Sequence, residues 1–214
     1  MKIKRIGYTS FHISTDTLDI VTDPIAVENA GLKFPKMEAD LVLFTEPEVE
    51  NHEIPLAESK VEKVVAPEGG EIFELSSAGE FEISEVLIQR PIKHNYFILD
   101  HGYTRVVYVG LGAKDLDPSE FENLEDVEAL IIPVGDGDLF PSYEKLQEII
   151  SNVDPFTLIP CGYKEEKMGS DYASLKGVDE FIKQFGYSGF SEKTTLKLTG
   201  KLDSESSMQV VILN

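Results

Sequence analysis

Histidine, cysteine, basic side chains and long apolar runs are all scarce in this chain. The single cysteine, Cys161, excludes an internal disulfide framework and fits a reducing compartment. Lysine and arginine number 19 against 39 aspartates and glutamates, a formal net charge of −20. Such a field repels phosphate backbones and anionic lipid, which argues against nucleic acid and membrane surfaces as partners. No apolar run approaches the roughly 20 residues needed to span a bilayer. Met1-Lys2-Ile3-Lys4-Arg5 leads straight into a strand pattern without the apolar stretch of a secretory signal, so a cytoplasmic location is expected. A Gly-x-Ser-x-Gly nucleophile elbow and a nucleotide-binding glycine fingerprint are also missing.

What is present is ordinary for a globular protein: 214 residues, 42% hydrophobic and 27% charged, suiting one domain over 1–214 with a sizeable core. The first half reads as successive strands at 2–7, 10–13 and 18–22, then a linker over 25–37. A short helix at 56–60 precedes strands at 61–66 and 71–75, with a Pro67-Glu68-Gly69-Gly70 turn between them. A strand beginning at Gly79 continues through 86–89, and 95–100 with 104–109 forms a hairpin. In the second half strands alternate with helices. Tyr143, Leu146, Ile149, Ile150 and Val153 follow helical spacing with Pro141 in the first turn, and Val178, Phe181, Ile182 and Phe185 do so before a stop at Gly186. Segments 130–133 and 156–160 are buried strands on either side of the first of these helices, and 194–198 with 209–213 close the sheet. These patterns establish a mixed α and β fold.

The most informative stretch is 40–53. Leu41, Val42, Leu43 and Phe44 form an apolar run suited to a strand buried on both faces. From Glu46 to Glu53 the chain then holds four carboxylates, at Glu46, Glu48, Glu50 and Glu53, with Asn51 and His52. Such a strand delivers a loop to the sheet edge where α/β folds place their chemistry.

The pattern of a strand ending in Thr45 before this loop, with Gly31-Leu32-Lys33-Phe34-Pro35 and Glu38-Ala39-Asp40 ahead of it, resembles the metallo-β-lactamase superfamily, specifically a small bacterial branch. Thr22-Asp23-Pro24, Gly7-Tyr8-Thr9-Ser10-Phe11, Gly79-Glu80-Phe81-Glu82-Ile83, Tyr108-Val109-Gly110 and Ile159-Pro160-Cys161-Gly162-Tyr163 extend the likeness along the chain. The resemblance implies an α+β, αββα four-layer sandwich and an ancestral zinc-dependent hydrolysis. It also implies where metal ligands would stand. Glu46, Glu48, Glu50 and Asn51 fill the four positions of the family's His-x-His-x-Asp-His loop, and His52 lies one position beyond. Tyr8 stands where another histidine is common, and Asp23 is the carboxylate that supports the ligands from beneath. Leu111 follows Gly110 where a bridging aspartate is expected, and Gly162, beside Cys161, takes the place of the last histidine.

Zinc hydrolases use imidazole nitrogens with a carboxylate, leave one position open, and lower the pKa of bound water to about 7. Glutamates and a glycine cannot reproduce that donor set, so zinc is expected to be absent. The reading is therefore a pseudoenzyme that keeps the scaffold for interaction, with an active paralogue or with itself. The alternative is a hydrolase using a hard cation such as Ca²⁺, Mg²⁺ or Mn²⁺ held weakly by Glu46, Glu48 and Glu50 with Asp23; otherwise these residues form a solvated acidic loop. Cys161 reads as core rather than as a nucleophile. His12, His94 and His101 read as structural or solvated, and Gly135-Asp136-Gly137-Asp138 as a turn rather than a phosphate loop.

Overall fold

The computed structural model describes residues 1–46, 63–92, 94–200 and 207–214. The helix expected at 56–60 and the first residues of the strand expected at 61–66 lie outside these.

The chain begins with an antiparallel meander of β1 (Lys2–Gly7), β2 (Ser10–Ser14) and β3 (Asp19–Thr22). It turns through α1 (Pro24–Asn29) and β4 (Met37–Glu38) into β5 (Leu41–Leu43), all three of whose residues are buried. β6 (Val64–Val65) pairs with β4, and β7 (Phe73–Leu75) lies parallel to β5 on the side away from β3. Next come β8 (Gly79–Ile83), β9 (Val86–Arg90), β10 (Tyr96–His101) and β11 (Thr104–Val109), an antiparallel meander that begins the second sheet. From there the second sheet grows by parallel addition of β12 (Ala129–Pro133), β13 (Thr157–Cys161), β14 (Phe190–Lys193) and, after β15 (Leu196–Lys197), β16 (Gln209–Leu213). The spatial orders are β15-β1-β2-β3-β5-β7 and β14-β16-β13-β12-β11-β10-β9-β8. Parallel neighbours need crossovers, and α2 (Tyr143–Val153) supplies the one between β12 and β13. α3 (Val178–Phe185) follows β13.

Side-chain alternation builds four layers from these elements. Ile3, Phe11, Leu41 and Leu43 of the first sheet meet Phe97, Leu99, Tyr108, Ile131 and Ile159 of the second across the central core. The opposite faces of the same strands point outward. Leu130, Ile132 and Leu158 pack on Leu146 and Ile149 of α2 and on Phe181 of α3. Val21 and Val42 pack on Val27 of α1 and on Phe34. Strands covered on both faces must be apolar at every position, which is why β5 and β12 read as unbroken hydrophobic runs. The result is the αββα sandwich.

Local departures from the sequence reading have local causes. Residues 24–29 are helical rather than linker, begun by Pro24 at the first turn. Residues 79–90 form a hairpin instead of one strand, because Ser84 and Glu85 both adopt positive φ (47° and 67°) in a two-residue turn. Pro141 lies before the first turn of α2, whose cap is Ser142; its Oγ accepts from the Lys145 N–H at 3.4 Å. Residues 196–197 do not close the sheet with 209–213. They cross to pair with β1, and β14, which had no clear apolar pattern, pairs with β16 in their stead. Gly186 ends α3 at φ 69°, as expected.

Phe181 is fully buried and stands 4.6 Å from the Phe185 ring and 5.6 Å from the Tyr187 ring. Phe181→Ala is expected to lower unfolding free energy in urea by about 3–5 kcal/mol, the usual cost of deleting a buried aromatic. A loss below about 1 kcal/mol would mean that α3 is not docked on the second sheet as described.

Candidate functional site

The sheets meet at the C-terminal ends of β3, β5 and β11, and a buried carboxylate joins them there. Asp23 follows β3 in the left-handed region (φ 39°, ψ 52°) and is only 2% exposed. Its Oδ1 accepts from the Thr45 N–H at 2.8 Å, and its Oδ2 from the Thr45 hydroxyl at 2.5 Å. Oδ2 also lies 2.7 Å from the Tyr108 hydroxyl and 3.3 Å from the Leu111 N–H. The Tyr108 hydroxyl reaches the Thr9 carbonyl as well, at 2.9 Å, so one proton serves two acceptors. Gly110 makes this convergence possible, since a Cβ there would fall on Asp23 Oδ2 and within 2.5 Å of the Thr45 and Tyr108 hydroxyls.

A buried cation backs the carboxylate. All five N–H donors of Arg90 find acceptors. They are the carbonyls of Phe44, Thr45, Ser76 and His94, with Asn95 Oδ1 at 3.0 Å. Burial pushes the Asp23 carboxyl up, and its donors pull it back only in part. Burial likewise lowers the Arg90 guanidinium, against which the Asp23 charge acts. The sequence reading missed Arg90. The signal was available in phase, because Arg90 shares the inward face of β9 with Val86 and Ile88, where an arginine must find partners.

Beside this cluster, the turn between β1 and β2 drives Tyr8 inward. Tyr8 has φ 49° and is 1% exposed. Its ring packs edge-on against Tyr172 at 5.3 Å and tilted against Phe140 at 5.8 Å. Its N–H donates to Glu165 Oε1 at 3.1 Å, and its carbonyl accepts from the Gly162 N–H at 3.1 Å. Arg5 completes the clamp: it donates to the same carbonyl at 3.2 and 3.3 Å and to Glu165 Oε1 at 2.5 Å, and it lies over the Tyr163 ring. Burial raises the Tyr8 and Tyr172 phenols, and the Glu46 carboxylate adds to both. Cys161 is fully buried, and burial pushes its thiol up toward the unreactive neutral form, which fits core rather than nucleophile.

Six of the expected pocket positions, Tyr8, Asp23, Glu46, Leu111, Cys161 and Gly162, thus gather at one end of the sandwich. Glu48, Glu50, Asn51 and His52 lie outside the described residues. Two of the described positions offer a zinc ion no side-chain donor. Gly162 has φ 62°, and a Cβ there would stand 2.7 Å from Pro133 Cβ and 2.9 Å from the Phe140 ring, so no imidazole fits in its place. Leu111 offers only its N–H, already given to Asp23. Among the described residues no three His, Cys, Asp or Glu side chains form a metal-binding group. His12 pairs with Asp19 and His94 with Glu120, each at 2.7 Å, and His101 ends β10. The Gly135–Asp138 segment turns at positive φ on Asp136 and Gly137, and Asp136 pairs with Lys176.

Comparison with known proteins agrees with this architecture. A family model described as a β-lactamase superfamily domain matches residues 2–162. No curated protein sequence matches the chain. Among solved structures, the chain is similar to a Thermotoga maritima protein assigned to the Zn-dependent hydrolases of the metallo-β-lactamase superfamily. Identity is 20%, the TM-score is 0.73, and the match covers 100% of this chain and 98% of that one. A metal-dependent hydrolase assignment from Parabacteroides distasonis matches at 20% identity and TM-score 0.58, over 99% and 91% of the two chains. A metallo-hydrolase of the archaeon Ignicoccus hospitalis matches at 14% and 0.60, over 86% and 90%. At these identities the likeness is one of fold.

Two substitutions test this geometry. Gly162→Ala is expected to cost at least twice what Gly186→Ala costs in urea unfolding. Both take a Cβ into the left-handed region at about 1–2 kcal/mol, but at Gly186 no atom lies within 4 Å of the added carbon. Equal costs would remove the steric argument. Tyr108→Phe deletes a donor to a buried charge and is expected to cost about 1.5–3 kcal/mol at pH 7. Because the folded carboxyl of Asp23 sits above its ordinary value, folding takes up a proton in the window between the two, and the stability from this group falls as pH rises through it. The Tyr108→Phe deficit is therefore expected to shrink as pH falls and Asp23 protonates. A deficit that grows in acid would show that Asp23 is not the partner.

Proposed function

The chain belongs to the β-lactamase superfamily, and from that premise we propose that it keeps the hydrolase scaffold without the metal site, as a non-catalytic pseudoenzyme. The observation that carries the reading is Gly162. At the position of the family's last histidine the backbone is left-handed and the space beyond Cα is already taken by Pro133 and Phe140. Tyr8, standing where another imidazole is common, is buried against the same Phe140 ring. Losing a ligand leaves a gap; these residues fill one. The scaffold itself is intact around the pocket, with Asp23, Thr45, Tyr108 and Gly110 in full register. A protein that keeps such packing beside an altered site has retained a use for its shape.

That use, on this reading, is interaction with an active relative or with a second copy, by one domain spanning the chain. The net charge of −20 disfavours nucleic acid and anionic membrane, and no helix of the described residues is long and apolar enough to cross a bilayer. A free buried thiol at Cys161 fits a cytoplasmic location.

Elemental analysis of the protein after dialysis against a metal-free buffer is the test. The expected result is zinc far below one ion per chain, and near-stoichiometric zinc would refute the proposal. A melting temperature raised by Ca²⁺, Mg²⁺ or Mn²⁺ would favour instead a hydrolase whose cation is held by Glu46, Glu48 and Glu50. No response to any of the three counts against that second reading.

A further inference from the structure

We infer that Tyr8 is a built-in plug: its ring, packed on Phe140 beside Gly162, fills space that the resemblance gives to the last metal ligand, and a turn clamped by Arg5 and Glu165 holds it there. The inference rests on reading that space as part of a vacated metal site, and it adds what fills it.

The backbone gives the first reason. The connection between β1 and β2 is a tight turn, and at φ 49° a glycine or asparagine would sit without strain. A large aromatic in that conformation persists only where its surroundings over-determine it. Here they do. The N–H and the carbonyl of Tyr8 are both engaged, by Glu165 on one side and by Arg5 and the Gly162 N–H on the other. Arg5 and Glu165 are themselves paired, so the clamp bridges β1 to the loop after β13. The turn therefore gains nothing from tyrosine. The ring is what the site uses.

Packing gives the second reason. Tyr8 packs tilted against Phe140, and Phe140 in turn leaves no room for a side chain at Gly162. Tyr172 closes over the Tyr8 ring from the solvent side, being only half-buried itself. The three rings form a continuous column from the surface to the backbone at Gly162. One residue before Gly162 stands Cys161, buried in the core between the sheets, near enough to the Tyr8 phenol to act on it, and the only cysteine of the chain, which makes it a single-site reporter of whether the column is closed.

The experiment measures the rate at which a soluble aromatic disulfide reagent modifies Cys161 under native conditions. In the unaltered protein the thiol is expected to react only through rare openings. Tyr8→Gly suits the turn but deletes the plug, and is expected to react at least about tenfold faster, with phenol at millimolar concentration slowing it again by refilling the pocket. Tyr172→Ala removes only the outer ring and is expected to give a smaller acceleration, which carries the test if Tyr8→Gly does not fold. Phe181→Ala controls for general loss of stability and is expected to accelerate the reaction less than Tyr8→Gly does. If Tyr8→Gly retains its circular dichroism yet reacts at the unaltered rate and ignores phenol, the plug is refuted while the proposed function stands. Zinc in the dialysed protein undoes that function whatever Cys161 does.

Discussion

A carboxylate sealed between two sheets must be matched donor by donor, and much of this structure follows from how Asp23 is matched. Its partners come from the ends of two strands that are far apart in the chain: Thr45 after β5, and Tyr108 in β11 with the Leu111 N–H just beyond it. Meeting them requires β3, β5 and β11 to end at one level, requires a residue without a side chain at Gly110, and requires a cation nearby, which Arg90 provides. Breaking any one of these contacts would leave a charge or a donor unpaired in a dry interior, which costs more than the contact itself contributes. The cluster therefore ties the register of one sheet to that of the other.

In a metal-binding relative, a carboxylate in this place would support ligands above it. On the proposed reading the support remains while the residues above it have changed character. Tyr8, Phe140 and Tyr172 give an aromatic interior, Gly162 gives room for Phe140, and Leu111 contributes only backbone. Aromatic rings satisfy one another by packing and need no counter-charge, so such a pocket is stable without an ion. On the proposed reading, a packed end of the sandwich in place of an ion-dependent one gives a physical reason why the fold can outlast the chemistry that the resemblance implies.

Parts of this were legible in the sequence and parts were not. β5, β12 and β13 were, because strands covered on both faces must be apolar throughout. α2 and α3 announced themselves by helical spacing. The Ser84-Glu85 turn was not legible, since neither residue is a usual occupant of positive φ, and β14 was hidden because its mostly exposed edge position asks for no apolar alternation. At the site, Asp23 could be singled out only through the family likeness, for an aspartate before proline is an ordinary turn signal. The role of Tyr8 was beyond reach for a different reason. Its clamp is a contact across 157 residues to Glu165, and no local pattern encodes such a distance.

On the proposed reading, the pocket beside Asp23 is filled by the protein's own rings rather than kept for a metal. Crystals grown in millimolar zinc, with diffraction recorded on both sides of the zinc absorption edge, would address it directly. Continuous density for Tyr8 against Phe140 is expected, with no anomalous peak between Asp23 and Gly162. A peak there, with Tyr8 swung out of its turn, would contradict it.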